Sequence, residues 1–339
     1  KESRIEAHAK IFDLPLAASG LTLFFTEKYI YNQELDDTYP PYNRPHSLAE
    51  WAATLPVHPS TRIVLLDPDM LMLGAMEVES EEVLYHGPGT VEQAKTLAAE
   101  AQRYRYLATR WKAASLRLDE ICEEGNSGCL SLTAEEVEDY YSAGPPWVVK
   151  FADLQRLLPN WQRYVPKIRR QYRQLIAEMY AYVLAAAGIG LRHALFDHYV
   201  VSYPGAPPGE QAWPWVEAQI AEPSGSCASG CMQRGDLNLE GEHAQVGRGE
   251  CSAPRPTFLH YCEIYHFQDW YFQKRNVPAS SLTSCEQPLL QEPPFSALEA
   301  QFRVLLEATD GEVSDWDRQG ARQAWFLCIL LSSLNQALI

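Results

Sequence analysis

A chain of 339 residues with 46% hydrophobic side chains can bury a substantial core, as one large α/β domain with insertions or as about two smaller ones. Its formal net charge of −16 excludes an extended nucleic-acid footprint, which needs a basic face. An acidic surface still leaves room for a local cluster of cations around an anion.

In chain order, Leu21–Phe25 reads as an edge strand, and Asp36–Pro45 as a rigid aromatic loop. A helix is expected over Ser47–Thr54, because Ser47 followed by Glu50 has capping-box spacing. Thr61–Leu66 is β-branched and Leu-rich, the pattern of a fully buried strand. Residues 74–89 read as loop around a short strand, Val83–Tyr85, and Val91–Cys122 as one long amphipathic helix. Trp147–Phe151 is a strand, and Asp153 caps a brief helix that stops at Pro159. Ile168–Ala187 has the strongest helical pattern in the chain and is closed by Gly188 and Gly190. Leu195–Tyr203 and Thr257–Tyr261 are strand-like, with a Pro/Gly/Ser-rich excursion between them. From about Ser296 two helical stretches are separated by Asp310-Gly311. Strands alternating with helices predict an α/β fold with a mixed sheet.

The 8 Cys lie mostly in Gly/Ser/Glu-rich segments, which fits loop disulfides formed in an oxidising compartment. Cys122 and Cys129 bracket a small loop. Cys227, Cys231, His243 and Cys251 are an alternative zinc set, but their spacing matches no two-pair zinc signature, so disulfides are favoured. No signal peptide or spanning helix is visible, and Trp325–Ile339 is too short to span a bilayer. The chain opens at Lys1 rather than Met, so we expect a processed or trimmed piece whose targeting or anchoring segment lies elsewhere.

Four places carry candidate chemistry. Asp67-Pro68-Asp69 follows a strand end, where ligands of open α/β sheets sit, and its two hard oxygens suit Mg²⁺ or Mn²⁺ holding a diphosphate. The same three residues are equally the chemistry of a tight turn. His260, at the end of a strand-like run, would complete a Mn²⁺ site, or would simply bond a neighbouring backbone group. Glu178 leads an otherwise apolar helix, a costly place for a carboxylate unless it is bonded or functional, with Arg173 or Lys167 as nearby partners. Trp270–Arg275 offers stacking rings and then two cations, which is either a diphosphate clamp or a solvated basic turn. No Gly-x-Ser-x-Gly elbow, P-loop or His-Glu-x-x-His is present, and Gly87-Pro88-Gly89 reads as a turn rather than a dinucleotide fingerprint, so nothing supports a protease, kinase or dehydrogenase.

Tyr39-Pro40-Pro41-Tyr42-Asn43-Arg44-Pro45, Val64-Leu65-Leu66-Asp67-Pro68-Asp69-Met70, Leu158-Pro159-Asn160-Trp161, Glu178-Met179-Tyr180-Ala181-Tyr182, Tyr203-Pro204-Gly205, Leu259-His260-Tyr261 and Trp270-x-Phe272-x-Lys274 occur in one order. That order resembles the plant and algal peptidyl serine α-galactosyltransferases and the related hydroxyproline O-arabinosyltransferases, over roughly Tyr39 to Asn276. The resemblance implies a GT-A-type glycosyltransferase with a Rossmann-like mixed sheet flanked by helices; long Cys-containing loop insertions depart from the family pattern, and a C-terminal helical segment is expected after it. By position, Asp67, Asp69 and His260 would hold Mn²⁺, and Lys274 and Trp270 would meet the UDP-sugar. Glu178 would sit near the sugar or the acceptor. The implied reaction moves galactose from UDP-galactose to seryl hydroxyls of hydroxyproline-rich polypeptides in the ER/Golgi lumen, with retention. The same chemistry with an arabinofuranosyl donor and a hydroxyproline acceptor is the alternative. The family's uridine-holding opening strand and helix are not recognisable in this chain, which motivates a third reading as a non-catalytic extracellular module. We expect one glycosyltransferase domain over residues 1–290, interrupted by insertions at about 87–143 and 205–255, and a helical extension over 291–339 packing on it.

Overall fold

The computed structural model describes residues 24–54, 56–74, 76, 99–207, 210–221, 256–277, 290–306 and 313–337. The protein is mixed α/β, and its strands run β1 (Tyr31–Asn32), β2 (Asp37–Thr38), β3 (Arg62–Leu65), β4 (Met70–Met72), β5 (Ala99–Arg103), β6 (Ala143–Lys150), β7 (His193–Phe196), β8 (Val200–Val201), β9 (Phe258–His260), β10 (Tyr265–Phe267) and β11 (Trp270–Phe272). The longer helices are α1 (Asn43–Thr54), α2 (Arg105–Ala114), α3 (Phe151–Gln171), α4 (Ala177–Gly188), α5 (Trp213–Ala221), α6 (Phe295–Leu306) and α7 (Asp315–Ala337). Contacts divide the chain into two compact units, residues 1–66 with 78–196 and residues 67–77 with 197–339. The division falls elsewhere than residue 290: α6 and α7 belong to the second unit's own core.

The first unit is built on a four-stranded sheet of order β3-β6-β5-β7, antiparallel except for the parallel β5/β7 pair. Its interior strand β5 lies in the stretch expected to be helix and insertion. Ala, Glu, Gln and Arg are helix formers, but Ala99, Ala101 and Gln102 are buried here between two partner strands, and pairing on both sides outweighs local propensity. Conversely, β3 is an edge strand in which only Leu65 is buried, rather than the fully buried strand its composition suggests. Pro145 and Pro146 fall where the β5/β6 register jumps from Ala101↔Trp147 to Gln102↔Gly144, so neither has to donate to the ladder.

Four helix expectations need correction. Helix α1 begins at Asn43, so Ser47 and Glu50 lie inside it and form no capping box; the Asn43 Oδ1 instead accepts from the Tyr29 N–H at 2.9 Å. Asp153 does not cap α3. The helix starts at Phe151, whose N–H, like that of Ala152, is taken by the carbonyls of Thr61 (2.8 Å) and Pro59 (3.0 Å), and Asp153 pairs with Arg156 in the first turn. Pro159 does not end α3 either. Pro159 and Gln155 are exposed, so the carbonyl that loses its intrahelical donor opens to water, while Leu157, Leu158, Trp161, Val165 and Ile168 hold the other face in the core. The helix expected over Ile168–Ala187 is in fact interrupted between Gln171 and Ala177. Tyr39 donates its hydroxyl to the Leu175 carbonyl and accepts from the Glu178 N–H, and Arg169 donates to the Gln174 carbonyl, so remote side chains satisfy the interruption. The end of α4 agrees with expectation: Gly190 takes φ +71, and the Gly190 and Leu191 N–H groups return to the Ala187 and Ala186 carbonyls.

The second unit carries a three-stranded sheet of order β4-β9-β8 and the β10/β11 hairpin. Strand β9 and both C-terminal helices form where expected. Helix α7 covers the hairpin, with the Phe326 and Tyr265 rings stacked at 4.0 Å. The fully buried Arg322 guanidinium ties α7 to α5 through Glu217 and to the Pro204 (3.0 Å) and Ala206 (2.7 Å) carbonyls.

Cys122 and Cys129 form a disulfide, as the small loop between them predicts. Among the described residues no helix is long and apolar enough to cross a membrane. Phe24 and Phe25 carry no strand, and Leu21–Leu23, Val83–Tyr85, Cys227, Cys231, His243, Cys251 and Cys285 lie outside the described residues.

Candidate functional site

The second unit brings Asp67, Asp69, His260 and Lys274 together. Strand β9 pairs antiparallel with β4 in the register Met70↔His260, and the Tyr261 N–H donates to the Asp69 carbonyl at 3.0 Å. The last residue of β9 therefore lies beside the turn that opens β4. That turn is closed by the Met70 N–H on the Asp67 carbonyl at 3.1 Å. The turn reading and the ligand reading of Asp67-Pro68-Asp69 are thus compatible, because the turn aims both carboxylates at one imidazole. His260 Nε2 lies 3.2 Å from Asp69 Oδ1 and 3.7 Å from Asp67 Oδ2, and one atom from each residue fits within 4.8 Å of the other two. These three residues can hold a metal ion.

Lys274 arrives from the helical turn after β11 and pairs with Asp69 Oδ2. The cluster is graded: His260 is buried, the two carboxylates are half-buried and Lys274 is exposed, which leaves one side open to a ligand. Burial works against the Asp69 carboxylate, but hydrogen bonding and charge from His260 and Lys274 prevail and hold its carboxyl well below the usual range. Burial likewise disfavours an imidazolium at His260, yet the hydrogen bonds to Asp69 and Cys262 outweigh it and raise the ring to about 9. Without a metal, two carboxylates therefore face one imidazolium and one ammonium, and their charges cancel. A divalent ion that displaces the imidazole proton would leave the cluster with one net positive charge, a polarity suited to a diphosphate.

The donor set fits an ion of intermediate hardness. Two carboxylates and one imidazole match Mn²⁺ better than Ca²⁺, which prefers oxygen alone and more of it. Trp270 is half-buried with its ring stacked on Phe267 at 6.2 Å, and its indole N–H is buried with no hydrogen-bond partner among the described residues. Its inner edge is thus part of the second unit's packing.

Glu178 belongs to the first unit, at the start of α4. It is 3% exposed, and burial raises its carboxyl above the usual range against the pull of Arg44. Its partner is neither Arg173, which bonds the Leu35 carbonyl, nor Lys167, which bonds the Ile121 carbonyl. It is Arg44, whose Nη1 lies 3.3 Å from Glu178 Oε2 and whose guanidinium sits 5.3 Å from the Trp147 ring centroid. Arg44 stands within the Tyr-Pro-Pro-Tyr-Asn-Arg-Pro block, but 134 positions separate it from Glu178, so no local spacing pointed to the pair. Cys262, two residues beyond His260, is a half-buried free thiol whose Sγ lies 3.3 Å from Ser202 Oγ.

Comparison with protein-family models, with curated proteins and with solved structures finds no match to this chain.

Proposed function

We propose that this chain is a metal-dependent glycosyltransferase of the GT-A kind, moving galactose from UDP-galactose to a peptide seryl hydroxyl beside hydroxyproline with retention. The observation that carries this reading is the meeting of Asp67, Asp69, His260 and Lys274 on one half-open spot, from segments about 190 residues apart in the chain. Asp67, Asp69 and His260 would hold Mn²⁺, which when bound supplies Lewis-acid neutralisation of a diphosphate. Lys274 would release Asp69 and turn its ammonium to the β-phosphate, where charge builds as the glycosidic C–O bond breaks. The leaving UDP takes that bond's electron pair, the seryl oxygen bonds the same face of the anomeric carbon, and the seryl proton passes to the departing phosphate oxygen. Glu178 is enclosed by protein and orients Arg44, which is itself 25% exposed, so direct contact with the sugar is not asked of it. The Cys122–Cys129 disulfide supports a secretory-pathway lumen as the place of action.

The test is a titration of UDP with and without Mn²⁺, on wild type and Asp69→Ala. The reading expects metal-dependent binding that Asp69→Ala abolishes. Binding that survives the substitution would refute the metal assignment, and no UDP binding at all would favour a non-catalytic module. UDP-galactose and UDP-arabinofuranose offered with a Ser-hydroxyproline peptide then assign the sugar.

A further inference from the structure

The first unit carries a small cavity that the proposed chemistry does not use. Its volume is about 110 Å³, and Tyr29, Tyr42, Pro45, His46, Gln162 and Val165 line it. Tyr42, Pro45 and Val165 are buried and make an apolar floor. Tyr29 is 40% exposed and, with the half-buried His46 and Gln162, makes the mouth. The walls are fixed before any ligand arrives. Asn43 Oδ1 accepts the Tyr29 N–H at 2.9 Å, the Thr26 and Ser47 hydroxyls share a hydrogen bond of 2.6 Å, and the Tyr29 ring stacks on His46 at 4.6 Å. The Tyr42 hydroxyl donates to Asp37 at 2.9 Å, and Arg169 in turn holds that carboxylate.

Size, charge and hydrogen bonding narrow the occupant. Sites that enclose a drug-sized molecule measure roughly 300–1,000 Å³, so this one takes a single small ring or side chain. Among the described residues no carboxylate, ammonium or guanidinium lines it, and its imidazole, His46, is already paired with Glu50 at 3.1 Å. A charged ligand would therefore lose water without gaining an ionic partner. The Tyr29 hydroxyl and the Gln162 carboxamide make no hydrogen bond within the described residues, so both can donate to a ligand carbonyl. We propose that this cavity is a docking site for a proline-rich polypeptide, with one prolyl ring seated on the floor of Tyr42, Pro45 and Val165 and flanked by Tyr29. A polyproline II backbone has no internal hydrogen bonds, so its carbonyls need outside donors, and a prolyl ring enters a pocket without losing rotamer freedom. Aromatic walls around such a ring are a recurring way of recognising that conformation. The inference uses none of the metal cluster's residues, so it and the glycosyltransferase reading stand or fall separately.

Titration of the full chain with capped decaproline by calorimetry tests it, with a capped Gly-Ser peptide of equal length and choline as the controls. Decaproline should bind, and neither control should. Tyr29→Ala, at an exposed position, should weaken decaproline binding by about tenfold or more, as loss of an aromatic anchor does. Gln162→Ala should weaken it by about 2- to 10-fold, the loss of one hydrogen bond. Both variants should melt like wild type. In the wild type with labelled methyl groups, the Val165 signals should shift as decaproline is added and stay in place with the Gly-Ser peptide. No decaproline binding, equal binding of the Gly-Ser peptide, or wild-type affinity in Tyr29→Ala would each overturn the proposal. Unmoved Val165 signals on a chain that binds decaproline would overturn it by placing the peptide elsewhere. Choline binding that Tyr29→Ala abolishes would overturn it too, by making the cavity a cage for cations.

Discussion

Proton competition at His260 offers a quantitative prediction. The ring titrates at about 9 without metal, and an imidazole must be neutral to ligate, so Mn²⁺ and a proton compete for Nε2. At pH 7 only about one molecule in 100 holds a neutral ring, so apparent affinity should be about 100-fold below its limiting value. The deficit should shrink about tenfold for each pH unit towards 9 and grow by the same factor towards 6. Calorimetry from pH 6 to 8.5 measures the slope, and at pH 7 two buffers of different protonation enthalpy count the protons released, about one per Mn²⁺. His260→Ala should bind more weakly and lose this slope. A wild-type affinity that is flat between pH 6 and 8, or binding without proton release, would refute the reasoning: His260 would then lie outside the coordination sphere or be neutral beforehand.

Lys274→Gln should tighten Mn²⁺ binding in the absence of nucleotide while weakening UDP, because it removes the cation that occupies Asp69 and would meet the diphosphate; paired Mn²⁺ and UDP titrations check both signs. Asp37→Asn should destabilise the first unit by about 3 kcal/mol, since it strands a buried guanidinium that Asp37 now binds through two hydrogen bonds, 2.7 and 2.8 Å long. Hydrogen exchange across α3 reads this loss. Arg169 holds the Asp37 carboxyl below its usual range, so the pair's stabilisation is in place above the unfolded value of about 3.9 and lost as pH falls through the lower folded value; the gap between wild type and variant should close in acid. Gly128→Ala should also destabilise, by about 1–3 kcal/mol, because a Cβ there would meet the Ala187 carbonyl oxygen at 2.4 Å; a melting curve matching wild type would mean the 127–130 turn can shift off α4 at no cost.

Much of the second unit was legible from residue patterns. Its strand β9, the helices after residue 295 and the Asp67–Asp69 turn all rest on local signals: a short apolar run, helical periodicity, and Asp beside Pro. The first unit was less legible. Helix α3 passes through Pro159 because its buried face outweighs the prolines, and the gap before α4 contains no Gly or Pro to announce it. That gap exists because Tyr39 and Arg169 supply from elsewhere the partners that its backbone needs. Glu178 stood out as a carboxylate in an apolar helix, but the guanidinium that answers it is remote in the chain.

By itself, then, the sequence marked out candidate side chains, because Asp, His and Lys at the ends of apolar runs advertise their cost locally. It also determined one disulfide, through a loop short enough to close on itself. Only the tertiary structure decided which of those side chains meet. The register of β4 on β9 brings His260 to Asp69, and the turn after β11 delivers Lys274. Strand pairing is a non-local interaction, and no spacing along the chain encodes which strands will be neighbours.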